Sequence, residues 1–181
     1  MYFETVGKTN TEQTVAIVKR VSAERGIRHI VIASNTGNTA RLLIGAEVNV
    51  VCVTHAQGFV DAGANEMTDA TRQELIAAGV KVLTTSHVFS GAERGLSSKF
   101  GGAGPVEIIA HTLRMFGQGT KVSVEISVMA LDAGLIPYGE PVLAIAGSGR
   151  GSDTALILRP AHASRILETK ILEVVCKPAV W

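Results

Sequence analysis

The stretch Ile30-Val31-Ile32-Ala33-Ser34-Asn35-Thr36-Gly37-Asn38-Thr39-Ala40 decides the fold of this chain. Its four leading apolar residues predict a buried strand, and the polar residues after them predict a tight turn that opens a helix. Such a turn presents free backbone N–H groups and the positive end of a helix dipole, both of which attract an anion. We therefore expect it to bind a phosphate group, with six candidate residues: Ser34, Asn35, Thr36, Gly37, Asn38 and Thr39.

A second interpretation of this turn needs no ligand, because Ser, Thr and Asn are also the usual caps of a helix start. Gly37 fits either interpretation, since glycine permits a positive φ as well as the close approach of a ligand. The turn lacks both the Lys-Ser/Thr ending of nucleotide-hydrolysing P-loops and the three glycines of the dinucleotide-binding fingerprint. Those two classes of nucleotide site are excluded, while anion binding and simple capping stay open.

The composition favours a single α/β domain over residues 1–181. Apolar residues make up 46% of the chain and aromatic residues only 4%, so we expect a core of Val, Ile, Leu and Ala. This mixture is typical of a parallel sheet covered by helices. The 17 basic and 16 acidic residues nearly cancel, which argues against nucleic acid as a partner.

The sequence also predicts the cellular location of the protein, the state of its two cysteines and whether it has a metal site. Its apolar runs are strand-sized and its first residues are no signal peptide, so we expect a cytoplasmic protein without a membrane partner. Cys52 and Cys176 lie inside apolar runs and form no pair motif, which favours buried free thiols. The five histidines show neither helical pairing nor pairing with cysteine, so no metal site is predicted.

Hydrophobic periodicity and turn residues predict an alternation of helices and strands. Thr9 and Glu12 have the spacing of a capping box before a first helix that ends at Gly26. Strands are expected over 27–33, 48–53, 80–84, 141–146, 154–158 and 170–175, and further helices over 39–46, 68–78, 105–117 and 121–133. The alternation predicts βαβ units and a mostly parallel sheet. The short turn between the fourth and fifth strands predicts an antiparallel hairpin at the sheet edge.

Two segments are less regular. Residues 86–104 have no clear periodicity and are predicted as one long loop. Arg94 and Lys99 in this loop could fold over an anionic ligand as part of a lid, or could simply be solvated. In the helix over 121–133, Glu125 is expected to face solvent, with a buried and partnered carboxylate as the alternative.

Polar turns follow two more of the predicted strands. Thr54, His55, Gly58 and Phe59 come after the second strand, and because ligands gather at the carboxyl ends of parallel strands, we expect this turn to neighbour the first. The turn after the fourth strand is expected either to approach a ligand closely or to be a plain hairpin. Its candidate ligand residues are Gly147, Ser148, Arg150, Gly151 and Asp153, of which Arg150 could pair with a phosphate or a polar ring edge.

Acid–base chemistry has candidates of its own. His55 and His87 each come just after a strand end, and histidine exchanges protons near neutral pH. Lys99 and Asp153 could assist them. Each of these residues is also compatible with plain hydrogen bonding in a loop, because the sequence fixes no partner for any of them.

The stretch 30–41, placed after a capped helix and before a second Val-rich strand, resembles the carboxyl-terminal domain of pyruvate kinase. In that family the equivalent turn holds phosphates of an allosteric sugar. Over residues 2–178 the chain is similar to a free-standing archaeal and bacterial family of pyruvate-kinase-C-terminal-like proteins. Six markers, in order along the chain, carry this resemblance: Asn10-Thr11-Glu12; Val53-Thr54-His55 with Gly58-Phe59; Ser90-Gly91 with Glu93-Arg94; Lys99-Phe100-Gly101-Gly102; Asp132-Ala133-Gly134-Leu135-Ile136-Pro137; and Gly151 with Asp153-Thr154-Ala155.

The resemblance implies a three-layer α/β/α sandwich that binds flavin mononucleotide (FMN) and whose reaction, if any, is unassigned. We expect FMN or a similar phosphorylated small molecule, with its phosphate on residues 34–39 and its ring system near Thr54, His55 and residues 147–153. The alternatives are an enzyme, either a flavin-dependent oxidoreductase or an acid–base catalyst on a sugar phosphate, and a metabolite-sensing regulatory subunit. Kinase chemistry is not implied, because no stretch resembles the catalytic domains of pyruvate kinase. The high apolar content and the oligomeric packing of the similar domain predict a homo-oligomer.

Overall fold

The computed structural model of the chain describes residues 1–180. Seven strands within these residues form one sheet: β1 (Tyr2–Phe3), β2 (His29–Ala33), β3 (Asn49–Val53), β4 (Lys81–Leu83), β5 (Val142–Ala146), β6 (Thr154–Arg159) and β7 (Lys170–Pro178). The α-helices of the described chain are α1 (Thr11–Arg25), α2 (Asn38–Arg41), α3 (Asp69–Ala77), α4 (Gly91–Phe100), α5 (Pro105–Arg114) and α6 (Gln118–Asp132). Short 3₁₀ helices precede α1, at Lys8–Asn10, and β7, at Ala163–Glu168.

The strand order in the sheet is β1-β7-β6-β5-β2-β3-β4. β2 pairs in parallel with β3 and with β5, and β3 pairs in parallel with β4. β6 is antiparallel to both β5 and β7, whereas β1 is parallel to β7. The predicted mostly parallel sheet and the β5–β6 hairpin are confirmed. The hairpin is not at the sheet edge, however, because β7 and the two-residue strand β1, which the sequence did not predict, lie beyond β6.

Helices cover both faces of the sheet and create two apolar layers. Alternate residues of a strand point to opposite faces, so Ile30 and Ile32 of β2 pack with α1 to α3, whereas Val31 packs with α5 and α6. α6 is buried along most of its length and packs against β5, β2 and β6. This arrangement is the three-layer α/β/α sandwich that the resemblance implied.

The start of α1 differs from the prediction. α1 ends at Gly26, whose φ of +65° is the left-handed conformation expected after a helix, but its N-cap is Asn10 and no side chain caps it. The hydroxyl of Thr11 instead accepts the backbone N–H of Ser152 at 3.0 Å. The predicted capping box is therefore wrong, because Thr9 lies within the 3₁₀ helix that precedes α1 and is not the N-cap.

Residues 86–104 do not form one loop, as the sequence predicted, because α4 occupies Gly91–Phe100. No residue of α4 is buried, and its two glycines and two serines, which are poor helix formers, weaken the helix signal in the sequence. α4 is attached to the next helix through Glu93, whose carboxylate accepts the backbone N–H of Glu107 at 2.9 Å. A lid at this position would be a helix rather than a flexible loop.

Cys52 and Cys176 are buried free thiols, as predicted. Burial raises the pKa of the Cys52 thiol to about 12 and the pKa of the Cys176 thiol to about 11, so both thiols stay protonated near neutral pH. No helix within residues 1–180 is long and apolar enough to span a membrane.

Candidate functional site

The carboxyl ends of β5, β2, β3 and β4 lie side by side along one border of the sheet. We call this border, with its turns 34–38, 54–59, 84–87 and 147–153, the carboxyl edge. The chain leaves β2 toward β3 but later returns to β5 on the opposite side of β2, so a topological switch point lies between β2 and β5. Ligands of open α/β sheets bind at such points, and the predicted turns lie on either side of this one.

In the turn 34–38, the side chain of Ser34 caps the start of α2. Its Oγ accepts the backbone N–H groups of Thr39 at 3.2 Å and Ala40 at 3.4 Å. The three backbone N–H groups of residues 35–37 find no acceptor in the described part of the chain. One side chain therefore caps the helix, while three consecutive backbone donors are left for an anion.

Gly37 has a reason to be glycine that does not involve a ligand. Its φ is +85°, in the left-handed region that residues with a side chain rarely adopt. A Cβ atom at this position would lie 2.5 Å from the Thr71 Cγ2 and 3.2 Å from the Leu75 Cδ1. The close packing of the turn against α3 therefore requires glycine as strongly as an anion would.

His55, just after β3, is held by two side chains. Its Nδ1 is hydrogen-bonded to the carboxylate of Glu66, and its Nε2 lies 3.0 Å from the amide Nδ2 of Asn35. Because an amide nitrogen only donates, Nε2 is the acceptor and Nδ1 carries the ring proton toward Glu66. The bond to Asn35 confirms that the turns after β2 and β3 are neighbours. A carboxylate that holds a histidine in one tautomer is an arrangement that can serve acid–base catalysis.

His55, Phe59 and His87 form an aromatic cluster beside the turn 34–38. The ring centroids of His55 and Phe59 are 3.9 Å apart in a stacked arrangement, and His87 lies 5.1 Å from Phe59. The side chain of Phe59 is 53% exposed, so part of its ring surface is open to solvent. Open aromatic surface can stack against a planar ligand.

His87 is the second, half-buried histidine of the cluster. Its Nε2 accepts the backbone N–H of Ala56 at 3.3 Å. Burial lowers the pKa of His87, an effect that Glu125 partly opposes and that the charges of His55 and Lys121 strengthen. The neutral, accepting form of the imidazole is therefore favoured in the folded protein.

Lys121 and Glu125 form a buried ion pair one turn apart on α6, with 2.5 Å between Nζ and Oε2. The Oε1 of Glu125 also accepts the backbone N–H of Phe89 at 2.9 Å. The expectation that Glu125 faces solvent is wrong, because the two opposite charges are buried together at helical spacing. Burial lowers the pKa of Lys121, and the carboxylate of Glu125 opposes that shift. Through Phe89, the pair ties the segment that carries His87 to α6.

The second glycine-rich turn, residues 147–153, is organised by Asp153. This fully buried carboxylate accepts the backbone N–H of Gly7 at 2.7 Å, that of Ser148 at 3.1 Å and the hydroxyl of Thr154 at 2.7 Å. Gly151 packs so closely on the start of α1 that a Cβ atom there would lie 2.4 Å from the Thr11 Oγ1. The candidate residues Gly147, Ser148 and Arg150 lie on the same turn, and the Arg150 side chain is exposed.

The two cations predicted in the lid lie on α4. Lys99 Nζ lies 5.5 Å from the centroid of the neighbouring Phe100 ring. Arg94 is close enough to the ion pair on α6 for its charge to contribute to the lowered pKa of Lys121. Arg94 thus lies on the side of α4 nearer the ion pair of α6.

A cleft of about 540 Å³ opens between the start of α3 and the end of β4. Its lining includes Gln57, Asn65, Met67, Thr68, Arg72 and Thr84. Sequence reasoning missed Arg72, and it also missed Glu66 and Lys121. None of the three lies in a recognisable motif, and Glu66 is 11 positions from its partner His55.

The family model of the pyruvate kinase alpha/beta domain matches residues 12–158, well over half of this chain. This chain belongs to the pyruvate kinase alpha/beta domain family. Membership confirms the predicted resemblance to the carboxyl-terminal domain of pyruvate kinase, while the expected FMN and the free-standing archaeal and bacterial subgroup stay predictions.

Several solved structures are also similar to this pyruvate kinase alpha/beta domain protein. A pyruvate kinase from Cryptosporidium parvum is 16% identical with a TM-score of 0.43, and 82% of this chain covers 22% of that one. A second structure of the Cryptosporidium parvum enzyme is 17% identical with a TM-score of 0.39, covering 75% of this chain and 20% of the other. A third, in complex with ADP, is 17% identical with a TM-score of 0.41, covering 81% and 22%. The chain therefore spans about a fifth of the length of these kinases.

Proposed function

We propose that this pyruvate kinase alpha/beta domain protein binds a phosphorylated small molecule with a planar ring, and that FMN is the specific candidate. One juxtaposition carries the proposal: the unbonded backbone N–H groups of residues 35–37 lie beside the aromatic cluster, and the bond between Asn35 and His55 joins the two. The choice of FMN rests on the resemblance to free-standing archaeal and bacterial proteins. We expect the protein to act in the cytoplasm.

At the phosphate end, backbone and hydroxyl donors supply most of the interaction. The N–H groups of residues 35–37 are joined by the hydroxyls of Thr36 and Thr39, neither of which has a partner in residues 1–180. The nearest cation along the chain, Arg41, is engaged by Glu74, with 2.6 Å between Nη2 and the carboxylate. The turn therefore recognises the phosphate by directed hydrogen bonds more than by a paired charge.

At the ring end, the exposed part of Phe59 offers a stacking surface for a planar ligand. His55 stacks against Phe59 on the side of this surface that is next to the phosphate turn. Arg150, exposed on the turn after β5, is available to contact a polar ring edge or the phosphate. A ligand that reaches from residues 35–37 to Phe59 would span the carboxyl ends of β2 and β3.

The proposal is tested by an absorption spectrum of the protein as purified, followed by calorimetric titration with FMN and with riboflavin. We expect bound flavin, and FMN to bind at least about tenfold more tightly than riboflavin, because hydrogen bonds to a charged group contribute about 1.5–3 kcal/mol. Equal affinities would contradict a phosphate site. Failure of both flavins to bind would contradict the ring assignment.

A second candidate function is acid–base catalysis on a phosphorylated substrate, which the Glu66–His55 pair favours. In that case His55 Nε2 would exchange a proton with the substrate once Asn35 has moved aside. His55→Gln would lower turnover by roughly 10²- to 10⁴-fold, the usual contribution of a general acid or base. Turnover that is unchanged in this variant would remove His55 from the chemistry.

We also propose that the protein is a homo-oligomer. Its support is a group of large apolar side chains exposed on α4, on α5 and just after α5: Leu96, Phe100, Ile108, Met115 and Phe116. Contiguous exposed apolar surface commonly marks an interface. Sedimentation at micromolar concentration should show a dimer or larger species, and Met115→Lys should shift it toward monomer. A monomer in the unmodified protein would contradict the proposal.

A further inference from the structure

The cleft between α3 and β4, which we call the Arg72 cleft, contains an arginine without an anionic partner. Arg72 is half-buried and belongs to α3, and its Nη2 donates to the hydroxyl of Thr84 at 2.9 Å. Within residues 1–180 no carboxylate forms an ion pair with this guanidinium. Four of its five donors therefore have no partner among residues 1–180.

A nearby arginine shows what a satisfied guanidinium looks like in this protein. Arg41 donates two hydrogen bonds to the carboxylate of Glu74 and one each to Asn38 and Thr71. Arg41 thus has an anion and several neutral acceptors, whereas Arg72 has one hydroxyl. Because a partly buried charge is costly without a partner, this contrast indicates that an outside anion completes the surroundings of Arg72.

The neutral groups of the cleft hold Arg72 in place. Thr84, at the end of β4, shares a hydrogen bond of 2.7 Å with Thr54 at the end of β3. The hydroxyl of Thr84 can donate to Thr54 while it accepts from Arg72, so the guanidinium is anchored to the carboxyl edge of the sheet. An anchored planar fork is suited to bind a carboxylate through two parallel hydrogen bonds.

We propose that the Arg72 cleft is a second ligand site, which binds the carboxylate of a small organic acid. Its volume of about 540 Å³ lies within the range of small-molecule sites, roughly 300–1,000 Å³. A carboxylate suits the cleft better than a phosphate, because Arg72 is its only cation among the described lining residues and Asp69 also lines it. A doubly charged phosphate would meet stronger repulsion from Asp69 than a singly charged acid.

This site borders the phosphate turn but does not depend on the proposed flavin. Asn65 lines the cleft and donates to the backbone carbonyl of His55 at 3.1 Å. Met67 also lines the cleft, and its Cε would lie 3.5 Å from a Cβ atom on Gly37. An acid bound to Arg72 would therefore lie near His55, at the border of the aromatic cluster.

The test uses the whole protein without added flavin and three probes: sodium acetate, sodium L-lactate and disodium succinate. Nuclear magnetic resonance follows the Arg72 Nε–H signal and the backbone amides of Gln57 and Thr84 at constant ionic strength set with sodium chloride. We expect saturable shifts with acetate and L-lactate, and weaker binding of succinate because of its second charge. Saturation by none of the three acids would overturn the proposal.

Variants distinguish binding of an acid in the Arg72 cleft from a nonspecific effect of changing the protein's charge. Arg72→Met should weaken L-lactate binding by about tenfold or more, and Arg72→Lys should weaken it as well, because the ammonium keeps the charge but loses the fork. Asp69→Asn should tighten binding. Arg20→Met, which removes a charge from an exposed pair on α1, is the matched control and should change nothing. Equal affinity in Arg72→Met and the control would contradict the assignment.

Discussion

The turns 34–38 and 147–153 lie on either side of the switch point, both follow a parallel strand and both contain glycine, yet they differ in the hydrogen bonds of their backbone. In the first turn the N–H groups of residues 35–37 have no acceptor in the described chain. In the second, the N–H groups of residues 149–151 also lack an acceptor among the described residues, but the buried carboxylate of Asp153 accepts the N–H groups of Ser148 and Gly7. Glycine-rich turns are thus not equivalent: a buried carboxylate organises the second turn, whereas a neutral hydroxyl, that of Ser34, is the side-chain acceptor in the first.

The largest effect expected from this comparison is on the folding of the second turn. Asp153→Ala removes three hydrogen bonds to a buried carboxylate and leaves their donors unsatisfied, so the free energy of unfolding should fall by about 3–5 kcal/mol. Urea denaturation measures this change. Asp61→Ala, at an exposed position, is the matched control and should stay within about 0.5 kcal/mol of the wild type. A loss of unfolding free energy no larger than that of the control would show that the Asp153 carboxylate does not stabilise its turn as its hydrogen bonds indicate.

The next effect concerns how the first turn is built. Gly37→Ala should destabilise the protein by about 1–3 kcal/mol, because the new Cβ would overlap the Thr71 Cγ2 and the positive φ would be strained. In the double variant with Thr71→Ala, the steric part of this loss should be recovered and the strain should remain. Urea denaturation of the four proteins of this cycle checks the coupling. Strictly additive losses would show that Gly37 does not pack against α3 in the way described.

The smallest effect concerns His87, a half-buried histidine of the aromatic cluster. The pKa of His87 is lowered from 6.5 in the folded protein, mainly by burial, whereas the unfolded chain takes up a proton near that value. Stability contributed by the neutral ring is therefore present above pH 6.5 and is lost as the pH falls below it. His87→Gln should flatten the decrease in unfolding free energy between pH 7 and pH 5.

His111→Gln, at an exposed position on α5, is the control for the pH series and should follow the wild type. Parallel pH curves for His87→Gln and the wild type would show that burial does not hold His87 in its neutral form.

Most of the fold could be predicted because its elements have strong local signals. β2, β3 and β5 are continuous apolar runs, and α5 combines a proline at its start with an apolar stripe. α4 could not be predicted, because its ten residues include two glycines and two serines, which are poor helix formers, and only two large apolar residues. The two-residue strand β1 is likewise too short to give a local signal, and the pairing of β7 with β6, which brings the end of the chain beside the hairpin, places the hairpin inside the sheet.

The candidate site was predictable only where strand order determines it. The carboxyl ends of neighbouring parallel strands lie together, and this rule predicts that the turns carrying Asn35 and His55 are neighbours. The contact between these two side chains confirms that prediction. Glu66 and Arg72 lie in a loop and a helix whose positions depend on tertiary packing, so no sequence spacing indicates them. Glu125 was misjudged because its burial depends on Lys121, and a pair of charges at helical spacing is usually exposed.

The central claim is that the turn 34–38 holds a phosphate group, and Thr39→Ala tests it most directly. Calorimetry compares wild type and variant with FMN and with riboflavin, and Thr112→Ala, an exposed threonine on α5, is the matched control. Loss of one hydroxyl donor to a charged group should weaken FMN binding by roughly 10- to 150-fold and leave riboflavin binding nearly unchanged. If folded Thr39→Ala binds FMN as tightly as the wild type, Thr39 gives no hydrogen bond to a phosphate, and helix capping is then the better explanation of the turn.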